Sequence, residues 1–254
     1  MATCLMQQKG SGEEANGGKK IVITGVSQGL GRALAFELAK RGHTIIGCSR
    51  TQDKLDSLHQ QLSNSSSLNH LLLNVDVRSD ESVETMVRTV IHKFGVPDII
   101  VNNAATINKE NAKIGDISRE EFDDIIDTNV KGTANVLRHF IPLMIPRNQG
   151  IIVNISSLFG RMGAPLVSPY CSSKWAVEGL SKSVAKELPN GMTVVALDPG
   201  LIYTEMLLCS LGKVASNYQS PQEWASKAAS MILNFTNADN GASLTVEDPG
   251  TLPT

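Results

Sequence analysis

"KIVITGVSQGLGRALAFELAKRG", residues 20–42, passes from a β-branched apolar run, through three closely spaced glycines, into apolar positions at helical spacing. Its first part, "KIVITG", reads as a strand apolar enough to be buried on both faces. Its last, "LGRALAFELAKRG", reads as a helix stopped by Gly42. "HTIIGCSR", residues 43–50, then supplies a second strand, so the ordered chain opens on a strand–helix–strand unit.

The alternation continues outward from this unit. "QDKLDSLHQQL" (52–62) is helical and "LLLNVDV" (71–77) is a strand; "SDESVETMVRTVIHKFG" (79–95) is a helix with a Ser/Asp cap and a Gly95 stop, and "PDIIVNNA" (97–104) is a strand. Residues 118–144 read as one long helix, 150–157 as a strand, 169–188 as a helix and 192–200 as a strand. A last helix at 220–235 precedes the short strand "ASLTV" at 242–246. Strand and helix alternating with no linker predict a single α/β domain over 19–254, built on a parallel sheet with helices on both faces. Residues 1–18, with "QQKGSGEEANGG", read as a flexible tail, because Gly, Glu, Gln and Asn bury too little surface to offset ordering entropy.

Composition narrows the function classes. The 254 residues are 41% hydrophobic and 19% charged, and 23 basic against 25 acidic residues leave a net charge of −2. That balance argues against a protein that holds nucleic acid or an anionic membrane by bulk charge. No apolar run approaches the ~18 residues of a membrane span. Cys4, Cys48, Cys171 and Cys209 have no paired spacing and no secretory signal is in view, so free thiols in a reducing, cytoplasmic compartment are expected. His43, His59, His70, His92 and His139 are scattered and make no metal motif, so no metal is expected.

The glycine turn "TGVSQGLG" (24–31) suits a pyrophosphate. Gly25, Gly29 and Gly31 let backbone approach an anion at the positive end of a helix, with the amides of Ser27, Gln28 and Leu30 as donors. The spacing departs from G-x-G-x-x-G, and any tight strand-to-helix turn uses glycine. The end of the second strand adds discrimination. NAD sites place a carboxylate there for the ribose 2′-hydroxyl, and NADP sites an arginine for the 2′-phosphate. Here Ser49 and Arg50 stand at that position, with no carboxylate before Asp53, so NADP(H) is the expected cofactor.

"SPYCSSKWAVEGL" (168–180) puts Tyr170 and Lys174 four positions apart in a helix that Ser168 is expected to cap, with Pro169 at its first position. The pair would share one helix face. A lysine snorkelling over a half-buried tyrosine has the same spacing, so the stretch alone leaves both readings open.

Taken as a set, "TGVSQGLG", the "DV" of Asp76 and Val77, "NNAA" at 102–105, "TNVKGT" with Asn129, "ISS" ending at Ser157, "YCSSK" and "PGLIYT" at 199–204 resemble the short-chain dehydrogenase/reductase family. The chain looks most like the plant branch that reduces pterin aldehydes with NADPH. The resemblance implies a doubly wound, Rossmann-type parallel sheet of seven strands, with cofactor and substrate meeting at the crevice where strand order reverses. It implies that Asp76 bonds the adenine amino group while the Val77 backbone supports the ring, and that Asn103 and Ala104 pass along the adenosine ribose. It also implies that Ile202, in the segment beginning at Pro199, offers backbone atoms to the nicotinamide carboxamide, and that Thr204 reaches the carboxamide or a phosphate. Asp76 as a turn residue and Thr204 as a helix cap are the plain structural alternatives.

The implied catalytic set is Asn129, Ser157, Tyr170 and Lys174. Tyr170 would protonate a carbonyl oxygen, Ser157 would donate to the same oxygen, and Lys174 would bond the nicotinamide ribose. Asn129 would anchor a water leading protons to the lysine. An ammonium roughly 5 Å from a phenol, at an effective dielectric of about 20, favours phenolate by ~3 kcal/mol, so Lys174 is expected to lower the tyrosine pKa.

Three departures from the family pattern stand out: "NNAA" where "NNAG" is usual, Thr193 and Val195 in "MTVVALDPG", and an end, "LTVEDPGTLPT", without "DGG". The last puts the usual tetramer contact in doubt; a homodimer, through the helices at 118–143 and 169–188, or another homo-oligomer is expected. Leu158, Phe159, Met162, Ala164, Tyr203 and Met206 are expected to wall the substrate pocket. Sixteen residues between Thr204 and Pro221 are too few for a large lid, which suits a small, flat aldehyde, aromatic or pterin. An NADP-linked alcohol, sterol or polyol dehydrogenase of the same family, and a silent nucleotide sensor, stay open as alternatives.

Overall fold

In the computed structural model, Lys20–Thr24 (β1) forms an interior strand of a parallel sheet, its apolar side chains buried from Ile21 to Ile23. The structure describes residues 18–65, 67–109 and 111–246. The expected N-terminal tail, for residues 1–17, and the end of the chain from 247 lie outside them.

Gly29–Lys40 (α1) carries the chain to Thr44–Ser49 (β2), Gln52–Ser65 (α2) to Leu71–Asn74 (β3), and Asp80–Phe94 (α3) to Ile99–Asn102 (β4). After Arg119–Ile126 (α4) and Gly132–Met144 (α5) come Gly150–Ile155 (β5), Ser168–Ala185 (α6) and Met192–Asp198 (β6). Glu205–Leu211 (α7) and Pro221–Asn234 (α8) precede Ser243–Thr245 (β7). The seven strands run in the order β3-β2-β1-β4-β5-β6-β7, every pairing parallel. The order therefore reverses between β1 and β4, the doubly wound arrangement that the alternation predicts.

Period-two alternation sorts each strand's side chains to two cores. Ile21, Ile23, Ile45, Ile99 and Val101 pack with α1, α2 and α8, around the fully buried Trp224. Val22, Ile46, Ile100, Ile152 and Val194 pack on the other face with α3 and α5, against Val83, Val87, Val136 and Phe140. A strand apolar on both faces is what a sheet covered on both sides requires.

Two local readings are corrected. The helix expected over 118–144 is interrupted at Asp127–Lys131 by a π-helical segment. Helix α6 begins at Ser168 itself: its cap position is Val167, with no side-chain cap bond. Between Thr204 and Pro221, where no large lid is expected, stand the seven-residue α7 and a 3-10 turn at Gly212–Asn217.

Candidate active site

A cleft of about 460 Å³ opens at the C-terminal strand ends where strand order reverses. On one side lies the glycine turn. Gly25 and Gly29 take φ of 72° and 57°, a region where a Cβ is unfavourable. The turn is held on β2 by Gly25 N donating to Cys48 O at 2.8 Å. Gly31 sits behind it: a Cβ there would lie 2.4 Å from both Asn103 Nδ2 and Gly25 O, so only glycine lets the helix approach so closely.

This turn fits a pyrophosphate on its own features. The cap residue of α1, Gln28, makes no side-chain cap bond, and no acidic residue stands in the first turn to compensate the helix dipole. Ser27, Gln28, Gly29 and Leu30 all line the cleft. Ser49 and Arg50 line it at the end of β2; Ser49 Oγ accepts from Thr51 N, and the exposed Arg50 guanidinium has no hydrogen bond or ion pair among the described residues. A free planar cation beside a donor-rich turn is the donor set an adenosine 2′-phosphate and pyrophosphate call for.

The adenosine side is more engaged than the sequence suggests. Asp76 and Val77 line the cleft, but both Asp76 carboxylate oxygens already accept from Arg78, at 2.9 Å for Nε to Oδ2. That guanidinium, and its hydrogen bonds first of all, holds the Asp76 carboxyl below its ordinary pKa. Asn103 and Ala104 also line the cleft, yet Asn103 Nδ2 donates to Thr24 O and Gly25 O, and both backbone amides donate to Thr24 Oγ1. Asn103 is thus a brace for the glycine turn.

At the inner end stand Ser157, Tyr170 and Lys174, all lining the cleft. Ser157 follows β5 and caps a 3-10 turn, its Oγ accepting from Phe159 N at 3.2 Å. Tyr170 and Lys174 share one face of α6, with Lys174 Nζ 5.6 Å from the tyrosine ring centroid and donating to Ile155 O at 2.8 Å. The expected lowering of the tyrosine pKa is overturned. Burial pushes the phenol up to about 12, against a hydrogen-bonding interaction with the Ser157 side chain that pulls it down. Burial also pulls Lys174 down to about 8, opposed by the Asp198 and Glu178 carboxylates. Desolvation penalises both charged forms, and here it outweighs the attraction between them.

Asn129 does not line the cleft; it stands behind it, buried, in the π-helical segment. Its Oδ1 accepts from Thr106 N at 2.8 Å, and its Nδ2 donates to Thr106 O and to Ser173 Oγ, each at 2.9 Å. The extra residue of a π bulge turns this side chain toward the loop after β4 and toward α6. The side chain is therefore fully engaged in joining two walls of the site.

Pro199 and Ile202 line the cleft above β6. Thr204 lines it too and is a helix cap: its Oγ1 accepts from Leu207 N at 3.2 Å. Of the expected apolar wall, Phe159 and Met206 line the cleft, and with Ala164 and Ile107 they pack on Tyr170, Cys171 and Val167. Leu158, Met162 and Tyr203 do not line it; they are surface residues, 46%, 49% and 43% exposed. Ile107, Leu201 and Leu207 take their place and escaped the sequence reading. The signal for Leu207 was present, since Thr204 followed by Glu205 is a helix start. Gln28 Nε2 also donates across the cleft mouth to Glu205 Oε2 at 2.8 Å.

Comparison with known proteins agrees with this geometry. A family model described as short chain dehydrogenase matches residues 19–210. Over 228 residues, 90% of this chain and 93% of the relative, the sequence is 66% identical to an NADPH-dependent pterin aldehyde reductase of Arabidopsis thaliana. It is 34% identical, over 74% of this chain and 77% of the relative, to a 3-oxoacyl-[acyl-carrier-protein] reductase of Staphylococcus epidermidis. A solved structure of ElxO with NADP bound superposes with a TM-score of 0.81 at 28% identity, covering 90% of this chain and 97% of the other. The matched span runs from the first strand through the cleft to α7, and the chain belongs to the short-chain dehydrogenase family.

Proposed function

We propose that this protein is an NADPH-dependent reductase of a small, flat carbonyl compound, an aromatic or pterin aldehyde, giving the alcohol. The observation that carries the reading is the buried Tyr170 phenol beside Ser157 and Lys174, at the inner end of a cleft whose outer end offers the glycine turn and Arg50. The name of the Arabidopsis relative supports both cofactor and substrate class.

NADPH, when bound, supplies the hydride that the carbonyl carbon takes up. Tyr170 gives its proton to the carbonyl oxygen, and the Ser157 hydroxyl donates to the same atom, holding it within reach. Phe159, Met206 and Ile107, which line the cleft and pack beside Tyr170, would wall a flat ring and exclude water. Lys174 is the donor to the nicotinamide ribose and the cation beside the phenol. Asn129 holds α6 to the loop after β4, and its backbone carbonyl accepts from Thr133 Oγ1 at 2.8 Å; a water toward Lys174 would take the second lone pair of that carbonyl.

Among the cofactor-binding groups, Gly25, Ser27, Gln28, Gly29, Leu30 and Gly31 shape and donate to the pyrophosphate site, and Ser49 with Arg50 takes the 2′-phosphate. Asp76, Val77, Asn103 and Ala104 border the adenosine. Pro199 and Ile202 border the nicotinamide, with the Thr204 hydroxyl engaged as a cap. Residues 19–254 act as one dinucleotide-binding unit. We place the protein in pterin and folate salvage in the cytoplasm, as a homodimer or other homo-oligomer through α4–α5 and α6, where Trp175 and Leu143 are exposed apolar side chains. No helix among the described residues is long and apolar enough to cross a membrane.

The test is oxidation of NADPH, with NADH run beside it, on a panel of aldehydes and ketones that includes pterin-6-aldehyde. The expected result is turnover with NADPH on the flat aldehydes, and a Tyr170→Phe variant that binds NADPH but has lost about 10²-fold or more of kcat. A Tyr170→Phe variant with most of the parent rate would refute the assignment.

A further inference from the structure

Two carboxylates are buried under the tyrosine and lysine, and neither has a part in the proton transfer. Asp198 serves its own turn, accepting from Gly200 N at 2.9 Å. Glu178 is different, because its partners lie on separate elements. It is 4% exposed and follows Tyr170 and Lys174 on the same face of α6, at i+8 and i+4. Its Oε1 accepts from Ser156 Oγ at 2.7 Å and from Arg161 Nε at 3.3 Å, and its Oε2 accepts from Ser243 Oγ on β7. Arg161 in turn donates to Thr245 Oγ1 at 2.9 Å and to Leu244 O at 2.8 Å.

Ser156 and Arg161 bracket the turn that carries Ser157. The backbone at Ser157 is extended, with φ −168° and ψ 159°, so adjacent side chains point to opposite sides, Ser156 Oγ donating to Glu178, while both residues border the cleft. Gly160 in the same turn is pressed onto the Ser156 hydroxyl and the Glu178 side-chain stem. A Cβ at Gly160 would stand 2.7 Å from Ser156 Oγ and 3.1 Å from Glu178 Cγ.

We propose that Glu178 is a positioning residue for the carbonyl reduction: with Arg161 it fastens both ends of the 156–161 turn to α6 and so fixes Ser157 relative to Tyr170. The inference rests on the reductase reading above. A buried ion pair adds little net stability over apolar residues of the same volume. What it adds here is direction, since one carboxylate fixes the Ser156 and Arg161 side chains through bonds of set geometry.

The experiment is a double-mutant cycle between Glu178→Gln and Ser157→Ala. It is read as single-turnover rate on pterin-6-aldehyde with enzyme in excess, so that the slow Ser157→Ala background stays measurable, alongside the Kd of NADPH by fluorescence. Glu178→Gln is expected to lower the rate by about tenfold to a hundredfold while NADPH Kd changes less than about twofold. In the Ser157→Ala background the same change is expected to alter the rate by less than about twofold, because the hydroxyl it positions is gone. Equal loss in both backgrounds, or a parent-like rate, overturns the proposal. If Glu178→Gln does not fold, Ser156→Ala, which removes a single hydroxyl from the network, is held to the same two criteria with a several-fold loss expected. Absence of turnover in the unmodified protein would instead sink the reductase reading, and the positioning role would fall with it.

Discussion

Replacing Lys174 with methionine should remove a pH dependence of stability that the parent protein carries. The ammonium is 3% exposed, and burial takes the lysine pKa from its ordinary 10.5 to about 8. Between those values the unfolded chain holds a proton that the folded chain has released, so stability rises with pH across that window. Below about pH 8 both states are charged, and the folded protein bears the full desolvation penalty of an enclosed cation. By about pH 9.5 the integrated gain over pH 7 is ~2 kcal/mol. Tyr170 works the other way, but its pKa is raised from 10.0 to about 12, so the stability it contributes is lost only as pH climbs above 10. Lys174→Met keeps the apolar stem and forfeits the bond to Ile155 O, a loss that is the same at every pH and cancels when each protein is compared with itself. Urea unfolding of both proteins without nucleotide, at pH 7 and about pH 9.5, should show the parent midpoint gaining on the variant by about 1 M. Parallel shifts in the two proteins would refute the claim that burial of this cation is what moves its pKa.

The other predictions concern the cofactor end of the cleft. Arg50→Gln should raise the KM for NADPH by about tenfold to a hundredfold, the worth of one charged hydrogen bond, and leave the KM for NADH nearly unchanged; equal effects on both would remove Arg50 from the 2′-phosphate site. Gly31→Ala should destabilise by ~3 kcal/mol, because its methyl would meet Asn103 Nδ2 and Gly25 O at 2.4 Å. Gly29→Ala should cost only ~1 kcal/mol in Tm-derived stability, since its methyl meets just Thr204 Cγ2 at 3.7 Å and the penalty comes from φ. A reversed order of the two would show that the turn is not packed as described.

Where local pattern decides the outcome, the sequence was readable. The run "KIVIT" with β-branched residues, the glycines after it and the helical spacing beyond are each local, and together they dictate a parallel sheet and the place of its crevice. The i, i+4 relation of Tyr170 and Lys174 is equally local. The missed features depend on what stands across a gap. Nothing near Asn129 in the chain says that Thr106 and Ser173 would take up its whole amide. Nothing in "SSLFGRMGA" says that Phe159 turns inward while Leu158 and Met162 face solvent, because a 3-10 turn has neither the period of a helix nor that of a strand. The tyrosine pKa failed for a related reason. A spacing gives the distance between two charges, but the depth at which they are buried is a property of the whole fold, and depth decided the sign.

That sign sets the protonation state from which the chemistry starts. A phenol held near 12 is protonated throughout the neutral range, the state from which it can give a proton to a carbonyl oxygen; alcohol oxidation would need the phenolate as base. The lysine near 8 lies close enough to neutrality that added negative charge beside it moves its titration upward. A bound pyrophosphate and 2′-phosphate bring such charge into the same cleft, so nucleotide binding favours the ammonium, and the ammonium favours loss of the phenol proton. On this logic the apolar enclosure keeps Tyr170 protonated in the free protein, and anionic cofactor lowers the cost of giving that proton up.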